Sequence, residues 1–194
     1  MSGVLPGLFL AAIFTDNIAL TMFLGLCPFL SLSRNLPVAA AMGFSVTLVM
    51  TVTAVMDWIL MRHFLMPYRL EYLQFLVFIL VIAAVTQVLE AIIDRYSPRI
   101  YGAFGVFLPL VAVNCAILGV SLFAVFRDYG LVETFVYALG SGIGWTLAIL
   151  IMSGLRRHLV FCRPPEALGP VGTVMTLASL MALAFGCLSG LVAR

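Results

Sequence analysis

Charge is so sparse in this chain that its uncharged runs, rather than any motif, decide what it can fold into. Twenty-two uncharged residues separate Arg34 from Asp57, 18 separate Glu71 from Glu90, and 27 separate Arg99 from Arg127. A further 22 separate Glu133 from Arg156, and 27 separate Glu166 from Arg194. Each run suits the roughly 20 residues that a helix needs to cross about 30 Å of hydrocarbon. The first 33 residues form a sixth run, interrupted only by Asp16. Six such spans take about 120 of the 194 positions, which leaves loops too short for a folded aqueous domain with its own catalytic site. The runs also far exceed the roughly 10 alternating residues of a membrane barrel strand. With 64% hydrophobic residues and a mean hydropathy of +1.21, the expected class is an all-α polytopic membrane protein of six transmembrane helices.

Ten arginines against eight carboxylates give a net charge of +2, and the arginines lie singly or in pairs between hydrophobic runs, which excludes a nucleic-acid-binding face. The first, third and fifth loops carry Arg34, Arg95, Arg99, Arg156, Arg157 and Arg163; the opposite side carries Arg62, Arg69, Arg127 and Arg194. Basic residues mark the cytoplasmic face, so both termini are expected on the periplasmic or outer side. Met1 to Leu10 has no basic residue, unlike a cleavable leader, and is expected to remain as the start of the first span.

Division near Pro98 gives residues 1–97 and 98–194, each with three spans. An odd number of spans inverts the second half relative to the first, the arithmetic of an inverted repeat. The first span of each half is interrupted: one holds Asp16, Asn17, Gly25 and Pro28, the other Gly105, Pro109, Asn114 and Gly119. Proline and glycine loosen a helix, and bare backbone is tolerated in a membrane only where protein or water satisfies it. Broken spans of this kind point to a functional centre near the midplane, or else to a pair of kinked packing helices.

Each broken span also holds a cysteine. Cys27 lies in FLGLCPFL (23–30) and Cys115 in LPLVAVNCAILGV (108–120), 88 positions apart, where an inverted repeat would bring them to equivalent places. Thiolates are the preferred ligands of iron–sulfur clusters, which usually take four, so two make half a site. The other two would come from a partner chain or from Cys162 and Cys187, neither of which is expected at the depth of the first pair. Alternatively, all four are small, inert, buried hydrophobes. His63 and His158 sit beside arginines at span ends and are expected to be solvated.

Asp16 and Glu90 are the ionisable residues expected inside the bilayer region, where a carboxylate is costly and is a functional candidate by default. Glu90, near Asp94 and Arg95, fits an interfacial ion pair or an ion pathway. Asp16 fits a half-helix cap together with Asn17, a counter-charge to an arginine of a partner, or a cation pathway. YALGSGIGW (137–145) and GCLSG (186–190) each contain Gly-x-x-x-Gly, a spacing for close helix packing in lipid.

At FLGLCPFL, FILVIAAVTQVLE (78–90), LPLVAVNCAILGV and YALGSGIGW, the chain resembles the RnfA/NqrE family of membrane subunits over nearly its whole length. These serve the Rnf electron-transport complex and the sodium-translocating NADH:quinone reductase. LGLCPF and MPYRLEYLQF look more like the Rnf branch, IFTDNIAL and GSGIGWTLAI more like the quinone-reductase branch, and the Rnf parent is favoured. The resemblance implies a [2Fe–2S] cluster shared with a homologous six-helix subunit (RnfE/NqrD-like) that supplies two further cysteines, with Cys27 and Cys115 as this chain's ligands. Cys162 and Cys187 fall outside the matched motifs. Asn114, beside Cys115, is placed to hydrogen-bond near the cluster.

The implied role is to carry electrons across the bacterial inner membrane, coupling ferredoxin and NAD redox chemistry, or NADH oxidation, to Na+ or H+ translocation. Such a chain is not catalytic alone. Flavin and further iron–sulfur centres are expected on other subunits, since no nucleotide, flavin or quinone motif is present. A small inverted-repeat transporter and a structural scaffold are the competing classes, and both leave the thiols free.

Overall fold

The computed structural model describes residues 4–33, 35–68, 70–96, 108–159 and 169–192. Among these residues there is no strand. The first uncharged run forms three short helices: α1 (Val4–Phe14), α2 (Ile18–Thr21) and α3 (Leu26–Leu32). After them come α4 (Leu36–Leu60) and α5 (Gln74–Tyr96), then α6 (Leu108–Ala112) and α7 (Cys115–Phe126), then α8 (Leu131–Leu159) and α9 (Gly169–Val192). Gly105 and Cys162 lie outside the described residues.

Four segments among the described residues are long and apolar enough to cross a membrane: Leu36–Leu65, Gln74–Arg95, Pro109–Phe126 and Leu131–His158. Leu5–Phe14 and Val171–Cys187 are shorter apolar helices. The chain is therefore a multi-pass helical membrane protein. Its first run departs from a single helix because Thr15, Asp16 and Asn17 favour turn geometry over helix interior, and because Phe23 and Gly25 adopt positive φ.

Asp57 is a correction to the reading of the charges. As the residue closing a 22-residue uncharged run it marks a span boundary in the sequence, yet α4 passes through it and continues as a π-helical turn, Met61–Leu65. The helix ends only ahead of Pro67, which cannot supply the next N–H. Asp57 is consequently inside a span and 1% exposed.

The hub is α8, which packs first on α4 and then on α1. Gly43 of α4 lies against Thr146, Thr47 lies against Gly142, and the indole N–H of Trp58 donates to the Tyr129 carbonyl at 2.8 Å. The two helices are thus antiparallel, with the end of α4 beside the start of α8. Lipid is as apolar as leucine, so this contact depends on close approach and on hydrogen bonds rather than on a hydrophobic driving force. The Thr47 and Thr146 hydroxyls bond across the contact at 3.0 Å, an interaction typically worth about 0.6 kcal/mol in a membrane.

The Gly-x-x-x-Gly spacing at Gly140 and Gly144 works as expected. A Cβ at Gly140 would stand 3.0 Å from that of Ala12, and one at Gly144 would stand 2.9 Å from the Ile13 carbonyl oxygen. At Gly186 a Cβ would meet nothing within 4 Å, so this glycine is not required for close packing within the chain. Gly142→Val, whose Cβ would fall 2.8 Å from Thr47 Cγ2, is expected to lower stability by about 1–3 kcal/mol in thermal melts of the detergent-solubilised protein. Gly186→Ala is expected to melt with the wild type.

Candidate functional site where two helix breaks meet

Each broken span restarts on an asparagine. Asn17 Oδ1 accepts the Ala19 N–H at 3.1 Å to cap α2, and Asn114 Oδ1 accepts the Ala116 N–H at 3.0 Å to cap α7. Both side chains satisfy a backbone donor that the following helix would otherwise leave bare. Their amide nitrogens differ. Asn17 Nδ2 donates to the Ile13 and Gly144 carbonyls at 3.0 and 2.9 Å, which ties the first break to the middle of α8. Asn114 Nδ2 is buried and has no hydrogen-bond partner.

The breaks come together at Gly25. Its N–H donates to Cys115 Sγ at 2.9 Å, across 90 positions of sequence, and Cys27 follows two residues later. Gly25 has φ +77° and ψ 27°, a left-handed conformation that glycine adopts without strain. Space demands glycine as well. A Cβ there would fall 2.7 Å from Trp145 Nε1, 2.8 Å from Asn114 Oδ1 and 2.9 Å from Ala116 Cβ. The Trp145 indole N–H is fully buried and, like Asn114 Nδ2, unpartnered. Two idle N–H donors therefore border the glycine whose own N–H is bound to sulfur.

Cys27, second residue of α3, and Cys115, first residue of α7, are both free and exposed at the surface of the chain. No group of three or more His, Cys, Asp or Glu side chains that could hold a metal exists among the described residues. Any four-thiolate centre at Cys27 and Cys115 would need ligands from outside the chain. Cys187 is exposed on α9, where it lines a groove with Leu20, Thr21 and Phe23.

The far end of α3 is closed by α8. Arg156 donates to the Leu30 carbonyl at 2.9 Å and to Ser33 Oγ at 2.6 Å, so a cation meets the exposed carbonyls of a helix C-terminus. At the opposite end of α8, Asp16 pairs with Arg127 of the same chain at 3.0 Å. Arg127 also donates to the Tyr129 hydroxyl at 3.2 Å. The Tyr129 bond, followed by that to Asp16, holds the guanidinium above its ordinary range and keeps it charged. Of the three roles open to Asp16, the structure shows the counter-charge, made within the chain, while Asn17 alone caps α2. Glu90 is half-buried on α5, and His63 and His158 are exposed.

A family model described as Rnf-Nqr subunit, membrane protein, matches residues 6–192. The E subunit of the Na(+)-translocating NADH-quinone reductase of Nitrosomonas europaea is 42% identical, over 96% of this chain and 98% of its own length. The A subunit of the ion-translocating oxidoreductase complex of Syntrophotalea carbinolica is also 42% identical, over 94% of this chain and 95% of its own. The E subunit of the Psychromonas ingrahamii reductase is 40% identical over 95% and 96%. The structure thus defines a multi-pass membrane protein whose broken spans converge on two cysteines. The chain belongs to the Rnf-Nqr family of membrane subunits.

Trp145, Gly25 and Arg156 were not singled out as site residues by sequence reasoning. Trp145 closes the GSGIGW segment, whose spacing reads as packing alone, and nothing in a linear pattern announces that an indole N–H lacks a partner. Gly25→Ala is expected to cost at least about 2 kcal/mol, from the left-handed backbone and the three contacts together, read as lost thermal stability and assembly. Arg127→Gln is expected to cost under about 1 kcal/mol in the same melt, because the ion pair is about two-fifths exposed.

Proposed function

We propose that this chain is the electron-carrying membrane component of an ion-translocating oxidoreductase complex, with Cys27 and Cys115 as its two ligands to a [2Fe–2S] cluster. Two further cysteines would come from a homologous six-helix partner. The observation that carries the reading is the hydrogen bond from Gly25 to Cys115, which joins the two broken spans two residues before Cys27.

The residues present fit such a group. Both cysteines are exposed residues, which a second chain can reach, and soft sulfur donors are the ligand type that iron–sulfur centres take. The unpartnered N–H groups of Asn114 and Trp145 border the same spot, and donors near cluster sulfurs set the reduction potential. When bound, the cluster supplies a one-electron site that divides about 30 Å of hydrocarbon into shorter transfers. Gly25 orients the Cys115 sulfur, and Trp145, next to Gly25, is fully buried.

The matching Asn17 and Asn114 caps support a reading of residues 1–97 and 98–194 as inverted repeats. In an Rnf complex the chain would serve coupling of ferredoxin and NAD chemistry to Na+ or H+ movement. Identity of 42% to the E subunit of a quinone reductase equally favours an Nqr-type parent. With either parent the chain would sit in the bacterial inner membrane, and the arginine distribution supports both termini being periplasmic.

The test is low-temperature EPR with iron quantitation on the intact purified complex, comparing wild type with Cys27→Ala and Cys115→Ala. Loss of one [2Fe–2S] signal and of about two irons in both variants, with the complex still assembled, is the expected result. Unchanged iron and an unchanged spectrum would make the two cysteines packing residues and overturn the reading.

A further inference from the structure

The least compensated polar group among the described residues is Asp57 of α4, which belongs to neither broken span. Asp57 is 1% exposed, inside a membrane-spanning helix, and neither carboxylate oxygen has a hydrogen-bond partner. The Ser121 hydroxyl faces it from α7 without completing a hydrogen bond, and is itself buried and unpartnered. The antiparallel register of α4 and α8 places Asp57 level with the first turn of α8, where the Thr134 hydroxyl is fully buried and also unpartnered. Three orphaned polar side chains, one from each of three packed helices, thus share one level of the bundle.

A cavity lies about one helical turn away. Met61, at the start of the π-helical turn, follows Asp57 by four positions, and Ala124 and Val125 follow Ser121 by three and four on α7. They line a cavity of about 290 Å³ together with Trp58, Arg62 and Tyr129, at the end of the bundle where Asp16 meets Arg127. The residues that line the cavity do not include Asp57, Ser121 or Thr134.

We propose that Asp57, Ser121 and Thr134 form a buried proton-binding site, which exchanges its proton with the cavity at the Trp58–Tyr129 end of the bundle. Its ligand is a proton rather than a metal cation because oxygen donors are too few. Two carboxylate oxygens and two hydroxyls fall short of the six or more that hard cations such as Mg²⁺ and Ca²⁺ take. An isolated carboxylate removed from water takes up a proton instead of remaining charged. As the acid, Asp57 donates its O–H to the Ser121 oxygen that faces it, which gives both groups a partner, while Thr134 stands at the same level of the bundle.

The charged and titratable groups on surrounding elements stand elsewhere. Arg62 and His63 follow α4, and Arg127, Asp128 and Tyr129 follow α7 at the outer rim. Asp16, ahead of α2, is engaged by Arg127, and Glu133 of α8 accepts the Gly130 N–H. Tyr137 of α8 lies under the Arg127 guanidinium. Glu90, Asp94 and Arg95 are at the opposite end of α5, and α3 carries only Cys27. None of them hydrogen-bonds to Asp57.

Infrared difference spectroscopy on the intact complex in lipid nanodiscs tests the site, comparing wild type with Asp57→Asn and Ser121→Ala in H2O and D2O. A neutral carboxylic C=O band should be present in wild type at neutral pH, shift in D2O, vanish in Asp57→Asn and move in Ser121→Ala. The serine variant keeps the acid, so it reports even if Asp57→Asn fails to assemble. Loss of a carboxylate band instead of a carboxylic band in Asp57→Asn would overturn the proposal. So would a carboxylic band unaltered by both substitutions, or conversion of the wild-type band to carboxylate by added Na+ at fixed pH.

Discussion

Hydrocarbon offers no water to a bare peptide group, and nearly every distinctive feature of this chain follows from how it closes the helices that it breaks. The first span stops twice, after Phe14 and after Thr21, and the span through α6 and α7 stops once, at Asn114. Each restart exposes N–H groups and each stop exposes carbonyls. Asn17 and Asn114 satisfy donors at two restarts, and Arg156 satisfies carbonyls where α3 ends. At the remaining restart, ahead of α3, the Gly25 N–H finds a cysteine sulfur. A thiol is a weak acceptor, so this closure is the one whose partner is suited to other chemistry.

The two asparagines show how the same local device diverges. Asn17 spends every polar atom: its oxygen on α2, its nitrogen on two carbonyls, one of them on α8. That makes it a structural rivet. Asn114 spends only its oxygen, although it is equally buried. A buried, unpaired N–H is costly enough that its persistence beside Cys115, with a second one on Trp145, marks where the fold holds donors in reserve.

The all-helical membrane class and the two interruptions were legible in the sequence because charge, asparagine, proline and glycine are local signals, whereas the extent of individual spans was not. The pairing of Asp16 with Arg127 was not, since the counter-charge was sought on another chain and the true partner lies 111 positions away. Asp57 was misplaced for a related reason. A charge at the edge of an uncharged run reads as the membrane boundary, whereas packing against α7 and α8 allows the helix to carry it inward. Trp145 illustrates the same limit from the apolar side, because only its surroundings distinguish an indole that packs from one that also presents an N–H.

These features sort along the length of α8. Its first turn lies level with Asp57, its middle receives Asn17 and Gly25 at Gly144 and Trp145, and its last turn holds α3 through Arg156. A single helix of 29 residues therefore touches the cysteine region and the buried carboxylate region, at different depths. Its small-residue faces permit this: Gly140 and Gly144 admit α1, while Gly142 admits α4, so neither neighbour is held off by side chains. Rigid contact of this kind transmits small displacements because packed interfaces resist continuous deformation. The cysteine region and the buried carboxylate therefore bear on one shared helix, so that a displacement of α8 caused at either would be felt at the other.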